Sequence, residues 1–92
     1  MRSRLDKPLV FIIDDVPENI QIALAHLKSL DLEFAYATSG EQALERIKGR
    51  VPDLVLLDVM MPGMDGFETM QEIRKVTKSQ SIPVIFLTAR SE

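Results

Sequence analysis

Three aspartates carry most of the chemistry in this sequence. Asp14 and Asp15 close an apolar run that starts at Leu9, and Asp58 closes a second that starts at Leu54. In open parallel sheets the ligand site lies beyond the carboxyl ends of the strands, at the point where strand order reverses. Neighbouring strands stand about 4.8 Å apart, so if the first and third strands are adjacent the three carboxylates share one small crevice. Their mutual repulsion raises pKa values and destabilises the fold unless a cation offsets the charge. Oxygen-only ligands favour a hard ion, and Mg²⁺ characteristically takes one or two carboxylates while keeping waters and phosphate oxygens. Mg²⁺ is therefore the expected cofactor.

Taken singly, these residues have plainer readings. Asp15 ahead of a helix is commonly an N-cap. Asp58 at a strand end can be a solvated turn residue, and Thr88, after the apolar run Val84 to Leu87, an ordinary hydroxyl bonded to the backbone. What favours the ligand reading is that all of them fall on one sheet edge. His26 has no such company: between Ala25 and Leu27 in a helix, it is expected to be a partly exposed structural residue with no role.

The elements that must position the acids follow from the pattern of apolar residues. Leu9 to Ile13 is a short continuous apolar run rich in β-branched residues, the mark of a strand buried on both faces. Pro17 suits a first helical turn, and Ile20, Ala23, Leu24, Leu27 and Leu30 recur at helical spacing. Glu33 to Ala37 reads as a second strand. Thr38 and Glu41 stand at capping-box spacing ahead of a helix carrying Ala43, Leu44 and Ile47, with Gly49 and Pro52 as its stop. Leu54 to Leu57 is a third strand, ending at Asp58. The loop Met61-Pro62-Gly63-Met64-Asp65-Gly66 has tight-turn residues at Pro62 and Gly63 and a flexible Gly66. Asp65 and Glu68 form a capping pair for a third helix with Phe67, Met70, Ile73 and Val76 on its apolar face, Lys78 to Ser81 is connector, and Val84 to Leu87 is a fourth strand.

The order β-α-β-α-β-α-β predicts one α/β domain, residues 1–92, with a parallel sheet and right-handed crossovers. With the strands in the expected order 2-1-3-4, that handedness puts the first helix on one face and the other two on the opposite face. A length of 92 residues suits one core rather than two. The net charge of −3 is spread over interleaved acids and bases, which argues against a direct nucleic-acid or anionic-membrane partner. No apolar run nears the roughly 20 residues that span a bilayer, and the short run after the basic start is no secretory signal. The lack of cysteine excludes thiolate chemistry and fits a reducing compartment, so the cytoplasm is the expected location.

With these residues assembled, the chain resembles the receiver domain of bacterial two-component response regulators. Phe11-Ile12-Ile13-Asp14-Asp15 resembles the family's acidic pair. Leu56-Leu57-Asp58-Val59-Met60-Met61-Pro62-Gly63-Met64-Asp65-Gly66 resembles its phosphorylation-site loop, and Pro83-Val84-Ile85-Phe86-Leu87-Thr88-Ala89 its switch strand. The resemblance implies a flavodoxin-like open sheet with Asp58 as the phosphoacceptor. It implies Mg²⁺ held by Asp15, Asp58 and the Met60 backbone carbonyl, with Asp14 reaching it through water. It implies Pro62, Gly63 and Gly66 as the site loop, Thr88 and Ala89 as switch residues, and a histidine kinase or phosphotransfer protein as the phosphoryl donor. The family pattern also implies a fourth helix, a fifth strand bearing a phosphoryl-pairing lysine and a fifth helix. The sequence ends at Glu92 without them and Arg90 is not a substitute, so a receiver truncated after strand four, with impaired activity, is the expectation.

Two other functions stand beside this one. An aspartate-nucleophile phosphohydrolase of the haloacid dehalogenase type needs a second Asp two residues after the first, and position 60 is Met, so a signalling module rather than an enzyme is expected. The alternative is a half-fold acting as an oligomerising scaffold with an idle acidic site. The fourth strand has no internal charge or proline to discourage pairing, so a homodimer or higher oligomer through its edge or the bare sheet face is expected.

Overall fold

Both faces of a central strand must be covered by apolar groups, and β1 (Leu9–Ile13) is buried along its whole length. The computed structural model describes residues 7–77 and 81–87. Its elements follow β1 in the order α1 (Pro17–Leu27), β2 (Glu33–Ala37), α2 (Gly40–Gly49), β3 (Leu54–Asp58), α3 (Gly66–Val76) and β4 (Val84–Leu87). The strands form one parallel sheet in the expected order, β2-β1-β3-β4. Thr88, Ala89 and Arg90, like Lys78 to Gln80 of the expected connector, lie outside the described residues.

Alternation along the strands divides the core into two layers. Val10 and Ile12 pack with Ile20 of α1, and Ala23 and Leu24 lie against them. Phe11, Ile13, Val55 and Leu57 face the other way, onto Ala43 and Ile47 of α2 and Ile73 of α3. Ile12, Ile13 and Leu57 have no solvent exposure, and each such side chain contributes roughly 1.5–3 kcal/mol by leaving water. At the opposite end of the sheet from the aspartates, the Leu9 N–H donates to Asp53 Oδ2 at 2.7 Å while the Asp53 N–H donates to the Leu9 carbonyl at 2.8 Å. This reciprocal pair ties the start of β1 to the turn before β3.

Two local expectations shift. The apolar stripe expected to run to Leu30 stops with the helix at Leu27, and Leu30 sits in the following turn, 52% exposed. The capping box expected from Thr38 and Glu41 does not form, and the cap of α2 lies one residue later. Ser39 is the N-cap and accepts from the Gln42 N–H at 3.1 Å, and the Gln42 side chain accepts from the Thr38 N–H at 2.8 Å. The displacement fits a tight contact: a Cβ at Gly40 would lie 2.3 Å from Thr69 Oγ1 and 2.8 Å from Met64 Sδ, so α2 starts where only glycine lets it rest on α3. The expected Asp65–Glu68 capping box is present on α3.

Candidate functional site

Register brings the aspartates together. Ile13 of β1 pairs with Leu57 of β3, and Asp14 and Asp58 are the next residues on each strand. The Asp14 N–H donates to the Ala37 carbonyl at 3.1 Å and the Val59 N–H to the Leu87 carbonyl at 3.4 Å, which pins both tips to their outer neighbours. One carboxylate oxygen from each of Asp14, Asp15 and Asp58 lies within 4.8 Å of the others. Asp14 and Asp58 are each only 3% exposed, and Asp15 is half-buried.

Such a group of acids is electrostatically unfavourable without a counter-charge. Burial pushes the Asp58 carboxyl above its ordinary value, and the charge of Asp14 and contact with Asp15 push it further, against the lowering effect of the Met60 N–H. That N–H lies 3.4 Å from Asp58 Oδ1. Asp15 is not the cap of α1: the N-cap is Val16, which offers no side-chain bond, and the Val16 N–H donates instead to Asp14 Oδ1 at 2.9 Å. The donor set is all carboxylate and fits a hard divalent cation such as Mg²⁺, which takes oxygen ligands and would offset the crowded negative charge.

The loop after β3 is fixed at several points. Gly63 has φ +74°, a conformation that disfavours any side chain and suits the turn expected at Pro62 and Gly63. Met61 turns into the core and is only 7% exposed. The Gly66 N–H donates to the Val59 carbonyl at 3.0 Å, and a Cβ at Gly66 would fall 2.3 Å from the Asp58 carbonyl oxygen. The first turn of α3 therefore rests directly on the backbone of Asp58. Beside the loop is an open apolar groove of about 480 Å³ lined by Val59, Met60, Met61, Pro62, Asp65 and Phe67. Sequence reasoning missed Asn19, whose side-chain amide lies 3.4 Å from Asp14 Oδ1. It also missed the burial of Met61.

The family model of the response regulator receiver domain matches residues 10–92. The chain belongs to this family. Receiver domains are signalling modules, and this one carries its acidic cluster at the tips of β1 and β3. Response regulator PleD of Caulobacter vibrioides is 36% identical over 80 residues, covering 87% of this chain and 18% of PleD. The chain thus spans less than a fifth of that relative. Among solved structures, the N-terminal domain of a response regulator receiver protein from Methanoculleus marisnigri superposes with a TM-score of 0.81 at 37% identity, covering 91% of this chain and 68% of the other. The response regulator TrrA of Thermotoga maritima, solved in complex with Mg²⁺ and BeF, gives a TM-score of 0.80 at 36% identity, covering 91% and 71%. Among the described residues no helix is long and apolar enough to cross a membrane.

Proposed function

We propose that this receiver domain takes a phosphoryl group onto Asp58 from the phosphohistidine of a histidine kinase or phosphotransfer protein, in the cytoplasm, with Mg²⁺ as cofactor. The convergence of Asp14, Asp15 and Asp58 within 4.8 Å carries the reading, and the Mg²⁺–BeF complex of the similar TrrA supports it. A carboxylate oxygen of Asp58 attacks phosphorus as the P–N bond to the donor imidazole breaks, an O–P bond forms, and the departing imidazole takes up a proton. Asp15, Asp58 and the Met60 backbone carbonyl would hold Mg²⁺, with Asp14 acting through water. When bound, the ion supplies positive charge against the phosphoryl oxygens.

The chain's own groups do the remaining work. Burial of Asp58 limits competing water, and the Met60 N–H orients Oδ1. Pro62, Gly63 and Gly66 shape the loop that holds the Asp58 backbone in place. Exposed Met60 and Phe67 give the partner an apolar rim. Thr88 and Ala89 are assigned the switch role on the family resemblance, Thr88 bonding a phosphoryl oxygen.

Incubation with acetyl phosphate and Mg²⁺ tests the proposal. The intact protein is expected to gain one phosphoryl mass, and chelation of the metal beforehand is expected to prevent the gain. Uptake that persists in excess chelator would refute the metal requirement, and no uptake with Mg²⁺ present would favour an idle site.

Self-association is the second reading. Among the described residues β4 pairs only with β3, and Ile85 on β4 is 51% exposed. An apolar strand edge of this kind pairs readily with another chain, so a homodimer or higher oligomer through β4 or the adjoining sheet face is the form proposed. Sedimentation is expected to detect dimers or larger species, and Ile85→Lys to return the protein to monomer. A wild-type monomer at high concentration would exclude this reading without touching the first.

A further inference from the structure

We infer that Asn19 is a positioning residue for the acidic site, holding the Asp14 carboxylate in the orientation from which it supports a bound divalent cation. The inference rests on the proposed function of that site. α1 begins without a side-chain cap, and Pro17 at its first position has no N–H to offer. Two donors from this helix start converge on a single oxygen, Asp14 Oδ1: the Val16 N–H at 2.9 Å and the Asn19 amide at 3.4 Å. An ionised carboxylate only accepts, so the amide must present its nitrogen, which fixes the orientation of Asn19.

Asp14 is 3% exposed, leaving little water to replace a lost donor. With Oδ1 engaged by the helix, Oδ2 is the oxygen left for an ion or its water. The Asn19 N–H donates to the Val16 carbonyl at 3.0 Å, so the same turn that carries the amide is locked to the Val16 backbone, whose N–H is the other donor. The two donors therefore move together with α1, and the helix sets the carboxylate angle. Partners that orient a metal-site group in this way affect affinity by about 10- to 100-fold when removed.

The test uses Mn²⁺ as a spectroscopic substitute for Mg²⁺, with free Mn²⁺ followed by electron paramagnetic resonance, and thermal unfolding of the full chain in chelator. Asn19→Leu keeps the volume without the donor, Asn19→Ser removes most of the reach, and Asn19→Gln keeps an amide on a longer arm. The Leu and Ser variants are expected to bind Mn²⁺ about tenfold more weakly and the Gln variant to recover most of the loss, with the metal-free unfolding midpoint recorded separately for each. Wild-type Mn²⁺ affinity in the Asn19→Leu variant, whatever its midpoint, would overturn the inference and leave Asn19 a structural residue. Asp15→Asn and Asp58→Asn serve as controls on the site itself: wild-type binding in both would instead sink the proposed metal site.

Discussion

Asp58→Asn is expected to abolish phosphoryl uptake and, in the absence of metal, to make the fold more stable. The first effect follows because an amide oxygen is no nucleophile toward phosphorus, so the loss is complete rather than partial. The second follows from the cost of a buried charge. Burial, Asp14 and Asp15 all hold the Asp58 carboxyl above its ordinary value of 3.8, so the folded state binds its proton more tightly than the unfolded chain does. Stability from this group is then fully present below the unfolded value and is lost as pH rises through the raised folded value. Asparagine carries no such penalty. The difference between variant and wild type is therefore expected to vanish in acid, where Asp58 is protonated, and to grow with pH to about 1 kcal/mol in the variant's favour, the ordinary scale of a single-site effect. Denaturant unfolding in chelator across the pH range measures it. Added Mg²⁺ should reverse the order, since a ligand at 100 times its Kd stabilises the wild type by about 2.7 kcal/mol and the variant by less. A variant less stable than wild type at neutral pH without metal would contradict the electrostatic account.

The parts of this site that strand ends determine were readable from residues alone. Apolar runs stopping at Asp14 and Asp58 locate the strand tips, and convergence follows once β1 and β3 are neighbours, as the family's strand order implies and the sheet has them. Capping was legible only where one choice existed. Asp65 and Glu68 have no competing pair, whereas Thr38-Ser39 and Glu41-Gln42 offer two registers with the same spacing, and the close approach of Gly40 to Thr69 and Met64 across the α2–α3 contact fits the observed one. Leu30 continued the helical stripe past the point where the backbone turns, because periodicity reports a face and not an end. Asn19 was invisible for a different reason. An amide at a half-buried helix position has no local signature, and its value lies in reaching Asp14 five residues back. Met61 read as loop, yet it is an anchor that packs under the sheet.

Gly66→Ala is expected to damage both stability and the site, and more severely than any other single methyl added at a glycine of the β3–α3 loop. The added Cβ would lie 2.3 Å from the Asp58 carbonyl oxygen, 2.8 Å from the Val59 Cα and 3.1 Å from the Asp58 carbonyl carbon. All three are backbone atoms, so no side-chain rotation relieves the clash. Either α3 lifts from the end of β3, breaking the Gly66 N–H bond to the Val59 carbonyl, or the β3 tip is pushed away and Asp58 leaves its neighbours. Overpacking of this kind costs roughly 1–3 kcal/mol and sometimes more, and each kcal/mol lowers the melting midpoint of a domain this size by about 4–8 °C. Phosphoryl uptake should slow as well, because the backbone of Asp58, the proposed phosphoacceptor, is what moves. Gly63→Ala separates strain from contact: its φ of +74° penalises a side chain although nothing lies within 4 Å, so it should cost only about 1–2 kcal/mol. Gly49→Ala, at the open end of α2 with nothing within 4 Å, should be neutral or stabilising by up to about 1 kcal/mol. Melting midpoints and acetyl phosphate uptake for the three variants give the ranking. A Gly66→Ala protein as stable and as readily phosphorylated as Gly49→Ala would mean that α3 does not brace the Asp58 backbone, and the positioning attributed to this loop would fail with it.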